Sequence, residues 1–140
     1  MRLPTILPIL LSILLLNLLS CTKEHEITCK SVSEDVDERA NPEPFHRDSL
    51  RIFTFEHTFD DSLSIVVDNQ VEAKGRVGTD FSLGMAKSFS IKAQSGQMIR
   101  IQTSSDCASF SLKDGYKYLY INRNNGKWKL TYSNVARGYL

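Results

Sequence analysis

The sequence predicts an all-β chain: a small two-sheet antiparallel β-sandwich of about seven or eight strands, carried behind a signal peptide and a flexible tether. Three observations lead there. From residue 51 onward apolar and polar residues alternate with a period near two, the period that sends successive side chains to opposite faces of a strand. Turn-forming pairs separate the alternating runs: Asp68-Asn69, Ser95-Gly96, Asp114-Gly115 and Asn125-Gly126. No stretch of useful length after residue 50 has a helical period. Seven or eight short strands between residues 51 and 137 suit two packed sheets.

The strands follow in order. Residues 52–57 (Ile-Phe-Thr-Phe-Glu-His) open the domain, and residues 63–68 form a second strand ending at the Asp68-Asn69 turn. Residues 71–74 return as a short strand, and Gly75, Gly78 and Gly84 make the next stretch loop-prone. Residues 88–93 place Phe89, Ile91 and Ala93 on one face. Residues 98–103 place Ile99 and Ile101 opposite Arg100 and Gln102. In residues 108–113, Ala108, Phe110 and Leu112 alternate with Ser109, Ser111 and Lys113. The last two strands, 116–122 and 127–132, are joined around Asn125-Gly126, which supplies the positive φ angles of a tight hairpin. The expected core is Phe53, Phe55, Leu63, Ile65, Val67, Phe89, Ile91, Ile99, Ile101, Phe110, Leu112, Leu119, Ile121 and Leu130. Each such side chain contributes about 1.5–3 kcal/mol when buried.

Ahead of this domain stands a different kind of sequence. Met1 and Arg2 give a short positive start, and Leu3–Leu19 is almost wholly apolar, broken by Pro4, Thr5, Pro8, Ser12 and Asn17. That length is at the short limit for a spanning helix and fits the apolar part of a signal peptide. The run closes on Leu18-Leu19-Ser20-Cys21, with an aliphatic residue three before and a small residue immediately before the cysteine. This junction resembles the lipobox of bacterial lipoproteins. The resemblance implies that residues 1–20 are removed and that Cys21 becomes a lipidated N-terminus holding the chain to a membrane. Stable anchoring takes two or more acyl chains. The alternatives are an ordinary secretory signal with a chance cysteine and a retained transmembrane anchor. Thr22-Lys23-Glu24-His25-Glu26 resembles the charged export signal of Bacteroidota-type surface lipoproteins, with Glu24 and Glu26 at its acidic positions and His25 departing from it. That likeness implies display at the surface of the outer membrane.

Charge is unevenly placed. Without residues 1–20 the chain has 16 basic and 16 acidic side chains, yet residues 22–50 carry eight acids against four bases. The remainder is therefore basic. Residues 21–50 also hold few apolar groups and contain Asn41-Pro42-Glu43-Pro44. They read as the lipidated cysteine and a disordered acidic tether, too polar to offset its ordering entropy. With Cys21 committed to lipid, Cys29 and Cys107 remain. Thiols outside the cytoplasm can pair, so a Cys29–Cys107 disulfide is one reading, although Cys29 lies in the least ordered part of the chain. A buried Cys107 beside a free Cys29, and an intermolecular bond, are the alternatives.

Chemistry has few places to reside. There is no Cys-x-x-Cys, no clustered His, no Gly-x-Ser-x-Gly, no His-Glu-x-x-His and no phosphate-cradling glycine loop. No metal, cofactor or catalytic residue is expected. Glu56-His57 near Asp60-Asp61 offers a base and carboxylates, but neighbouring strand residues diverge. Asp60, Asp61 and Asp80 lack calcium-loop spacing. The constellation that stands out is the C-terminal hairpin: Tyr116, Tyr118 and Tyr120 on one face, Trp128 and Tyr132 sharing a face of the partner strand, and Lys117, Lys127 and Lys129 opposite. With Lys113, Arg123 and Arg137 against Asp114, the hairpin is locally basic. Aromatic platforms beside bases stack on sugars and attract polyanions. The plainer reading has the aromatics packing the core and the lysines guarding a sheet edge. The Asp114-Gly115-Tyr116-Lys117-Tyr118 run and the strand order resemble PEGA-like small β-sandwich modules across residues 62–132, without the Pro-Glu-Gly-Ala signature itself. That resemblance implies an accessory or binding module. The expectation is thus a non-enzymatic, lipid-anchored envelope protein that docks on another envelope protein. The alternative is a glycan- or polyanion-binding module using the hairpin; nucleic acid is not an expected partner.

Overall fold

A computed structural model describes residues 28–43, 50–57, 59–82 and 84–139. Regular structure among them is all β, in nine strands. These are β1 (Val32–Val36), β2 (Leu50–Phe55), β3 (Asp60–Val67), β4 (Gln70–Gly78), β5 (Lys87–Lys92), β6 (Met98–Thr103), β7 (Cys107–Ser111), β8 (Tyr118–Asn124) and β9 (Lys127–Ser133). The expected eight runs each contain a strand, and β1 is the addition.

Two open sheets result, one ordered β1-β9-β8-β2-β5 and the other β4-β3-β6-β7. Tight hairpins fix the register where the sequence places them. Asp68 and Asn69 turn at φ 45° and 70°, and Asn125 and Gly126 at 49° and 71°, the left-handed pair that matches the twist of the flanking strands. The larger sheet is not purely antiparallel, which corrects the expectation. β1 pairs β9 and β2 pairs β8 in parallel. Alternation reports which face a residue takes but not which way its neighbour runs, and parallel neighbours need long connections that leave no local signal.

The inner faces of the two sheets share one core. Phe53, Phe55, Leu119, Ile121 and Leu130 come from one side, and Leu63, Ile65, Ile99, Ile101 and Phe110 from the other. Phe59 bridges them, edge-on to Phe55 at 5.1 Å and tilted against Trp128 at 5.9 Å. Phe89 is only partly buried, at the sheet edge. Its ring lies 3.6 Å from where a Cβ on Gly75 would stand, so the glycine leaves the ring its place.

The boundary of the tether is also corrected. Residues 28–43 belong to the folded body. Lys30 bridges β7, its N–H donating to the Cys107 carbonyl at 2.9 Å and its carbonyl accepting from Ser109 at 3.1 Å. The chain then crosses to the other sheet as β1 and continues with Asp37 N–H to the Tyr132 carbonyl at 2.9 Å. Three of its acids are paired, Asp37 with neighbouring Arg39 and two others with distant lysines. Glu34 pairs with Lys113 and Asp35 with Lys129, each at 2.7 Å, while Lys30 pairs with Asp106 at 2.9 Å. Two acids of the acidic stretch thus meet lysines of the basic remainder, and one of its lysines meets a distant acid. Cys29 and Cys107 are joined in a disulfide, with Cα atoms 4.8 Å apart. Cys21 and the rest of residues 1–27 lie outside the described residues, as do residues 44–49.

Candidate functional site

The hairpin β8–β9 is where sequence concentrates aromatic and basic groups, and the structure divides them. Trp128 and Tyr132 point into the core with Leu130, as strand alternation dictates, and Tyr116 joins them from the loop before β8. Tyr116 and Tyr132 rings tilt together at 5.4 Å. The Tyr132 hydroxyl accepts from Lys113 N–H at 3.3 Å and donates to the Ser111 carbonyl at 3.4 Å. Burial pushes its pKa up to about 12. Trp128 donates its indole N–H to Asp106 Oδ2 at 3.2 Å. These three of the eight residues named for a binding surface are packed in the core, as the plainer reading has it, and are not exposed as a stacking platform.

Tyr120 is buried for a different reason. It lies on the outer face with Tyr118, the two rings stacked at 6.3 Å. The C-terminal segment folds over it. Its hydroxyl donates to the Val135 carbonyl and accepts from Arg137 N–H, both at 2.9 Å. The Arg137 guanidinium sits 4.0 Å from the ring centroid. Tyr118 remains partly exposed. Of the bases, Lys117 and Lys127 are exposed, and Lys117 Nζ lies 5.5 Å from the Tyr118 ring centroid. Of the six basic residues counted around the hairpin, four face carboxylates: Lys113 with Glu34, Arg123 with Asp61, Lys129 with Asp35 and Arg137 with Glu56. Much of the local positive charge is thus cancelled internally.

Beneath the C-terminal segment is a polar cluster that no sequence pattern brings together. Buried Glu56 accepts from Asn122 Nδ2 at 2.6 Å, Arg137 at 2.5 Å and the Tyr139 hydroxyl at 3.0 Å. Burial, then the Glu56 charge, pushes the Tyr139 phenol far above its ordinary value, so it stays a donor. With both carboxylate oxygens engaged, Glu56 latches the chain end rather than offering a free base. His57 is exposed beside Gly84, and its backbone N–H donates to Asn122 Oδ1 at 3.4 Å. Asp60 binds Arg76, Asp61 accepts from Ser104 and pairs with Arg123, and Asp80 accepts from Ser82. The described residues contain no group of three or more metal-ligating side chains.

Grooves and one projecting loop remain among the described residues. A groove of about 750 Å³ runs along the outer side of β8–β9, lined by Asn122, Lys127, Trp128, Lys129 and Arg137 among others. A second, of about 440 Å³, lies on the outer face of the four-stranded sheet beside Cys29. The loop between β4 and β5 holds Phe81 out into solvent, 91% exposed. Its feet are fixed: Thr79 exchanges hydrogen bonds with Phe59, Asp80 N–H donates to Met85 at 3.1 Å and Ala86 N–H to Phe55 at 2.9 Å. Compared with known proteins, the chain matches no family model, no curated protein and no solved structure.

Proposed function

We propose that this chain is a non-enzymatic lipoprotein of the cell envelope, anchored in the outer membrane through Cys21, displayed at the surface, and folded as a β-sandwich that docks on another envelope protein. The observation that carries the docking reading is Phe81. A large apolar ring on a loop braced at both feet is presented at little further entropic cost, and such rigid aromatics serve as anchors in a partner's pocket. The edge strand β4 runs toward this loop and leaves Val71 52% exposed. The occupant that fits is an apolar pocket on a protein held in the same membrane. Support for the anchor comes from Leu18-Leu19-Ser20-Cys21, and the Cys29–Cys107 bond suits an oxidising compartment.

Cross-linking on intact cells, followed by tag purification and mass spectrometry, tests this reading. The expected result is one stoichiometric envelope partner that is lost with Phe81→Ser and kept with the Lys117→Gln, Lys127→Gln, Lys129→Gln triple variant. Recovery of the same partner with Phe81→Ser would overturn the docking role of the loop. A second reading, an anionic-glycan module, is favoured by the groove that gathers Lys127, Lys129 and three asparagines, Asn122, Asn124 and Asn125. It predicts polysaccharide that co-purifies, dissociates steeply with rising salt and is lost in the lysine triple variant.

A further inference from the structure

The outer face of the four-stranded sheet carries a feature that neither reading uses. Cross-strand register puts Val71, Val66, Arg100 and Ser109 in one row on that face. The 440 Å³ groove opens there, walled by Val66, Met98, Asp68 and Cys29, with Arg100 at its side. Arg100 Nε is buried, and among the described residues it has no hydrogen-bond partner. A cationic donor withdrawn from water without an acceptor is costly, and a ligand oxygen would remove that cost. Asp68, the acid that lines the groove, accepts instead from Gln97 Nε2 at 2.8 Å and Met98 N–H at 2.9 Å. Beside this donor the surface is apolar, with Met98 51% and Val71 52% exposed.

The covalent chain says what lies over this face. Thr28 and Cys29 line the groove, and the disulfide to Cys107 holds them there, so the chain toward the N-terminus departs from this side of the molecule. Cys29 stands eight positions after Cys21. Fully extended, that stretch spans at most about 28 Å. A body of this size is of comparable breadth, with a radius of gyration of about 13 Å per hundred residues. A lipid on Cys21 therefore brings this face, before any other, against the headgroups.

We propose that the outer face of the four-stranded sheet rests on the anchoring membrane, with Arg100 taking a phospholipid phosphate in the groove beside the Cys29–Cys107 disulfide and Met98 and Val71 meeting the apolar boundary. Lys74, outward on the same face, adds charge attraction to anionic lipid. The proposal rests on the lipid-anchor reading. Both are tested on the full mature chain in nanodiscs of phosphatidylethanolamine and phosphatidylglycerol, using a water-soluble amine-reactive label. The mass of the N-terminal peptide reads acylation separately. Expected are an acylated Cys21, several-fold slower labelling of Lys74 in nanodiscs than in detergent, Lys127 labelled equally in both, and loss of much of the Lys74 protection in Arg100→Gln. An acylated chain whose Lys74 and Lys127 label alike in nanodiscs overturns the membrane-resting face while the anchor stands. A chain that is not acylated and stays off the nanodiscs overturns both. Inorganic phosphate shifting the Arg100 Nε–H resonance, with nanodiscs leaving it unmoved, would make the groove a site for soluble phosphate and also overturn the proposal.

Discussion

Arg51 shows how far one side chain can depart from what its residue type suggests. It follows Leu50 at the start of β2 and shares the inward parity of Phe53 and Phe55, yet it is charged and fully buried. Its guanidinium satisfies three loop carbonyls, Ala93 at 3.1 Å, Lys113 at 3.0 Å and Tyr116 at 2.6 Å, and the Ser95 hydroxyl at 3.1 Å. It thus ties the β5–β6 and β7–β8 connections to β2 at one end of the core. Arg51→Leu would keep much of the volume but strand those acceptors. The expected loss is about 3–5 kcal/mol, read as a lower urea midpoint at unchanged slope. Arg51→Lys should fall between, because an ammonium cannot reproduce the fork. An unchanged midpoint for Arg51→Leu would mean that water satisfies these carbonyls equally well. Tyr139→Phe removes one donor to buried Glu56 and is expected to cost about 1.5–3 kcal/mol, with faster exchange of the Arg137 amide that bonds Tyr120.

At the scale of elements β1 is expected to respond to acid, because carboxylates fasten the segment around it. Arg39 hydrogen bonds hold Asp37 down to about 2, helped by Ser133. For Asp106 burial alone would raise the pKa, but the bonds from Lys30 and Trp128 outweigh it and the net shift is downward. Both carboxyls thus bind protons more weakly in the folded chain than in the unfolded one. The stability from Asp37 is complete above about pH 4 and is lost as the pH falls through about 2, and that from Asp106 is lost in the same direction. Amide exchange measured against pH should show the Val32–Val36 amides losing protection first on acidification, and Asp37→Asn should remove part of that dependence. If those amides kept their protection until global unfolding, the carboxylate fastening would be wrong. This strand is also the element that sequence reasoning missed. Val32-Ser33-Glu34-Asp35-Val36 lies at a sheet edge with only Val32 packed against the core, so its composition reads as a solvated tether. Its partner lysines lie 79 and 94 positions away, beyond any local pattern. The other eight strands were legible because each shows one face to the core and the turn pairs fall between them. The inward placement of Trp128 followed from the same alternation, whereas the covering of Tyr120 did not. That depends on Val135 and Arg137 folding back, and nothing in the strand itself announces it.

For the molecule as a whole, the Cys29–Cys107 bond closes a loop with a sequence separation of 78. Constraining the unfolded chain in this way is worth about 4–5 kcal/mol in the loop-entropy model. The Cys29→Ser, Cys107→Ser double variant should unfold at correspondingly lower urea, and wild type under reductant should match it. A variant as stable as the oxidised chain would show that packing of the N-terminal segment, not the cross-link, limits unfolding. The pairing of β1 with β9 carries a different consequence, one of timing. Val32 finds its neighbour in Trp128, near the other end of the chain. A polypeptide is made N-terminus first. The β3–β4 hairpin can close soon after its residues appear, but β1, the earliest of the described strands, must wait for β9, the latest of them. Until Lys127–Ser133 has been made, the larger sheet has no border on that side, and the first-born strand stays an open end that any carrier of nascent chains would find unclaimed.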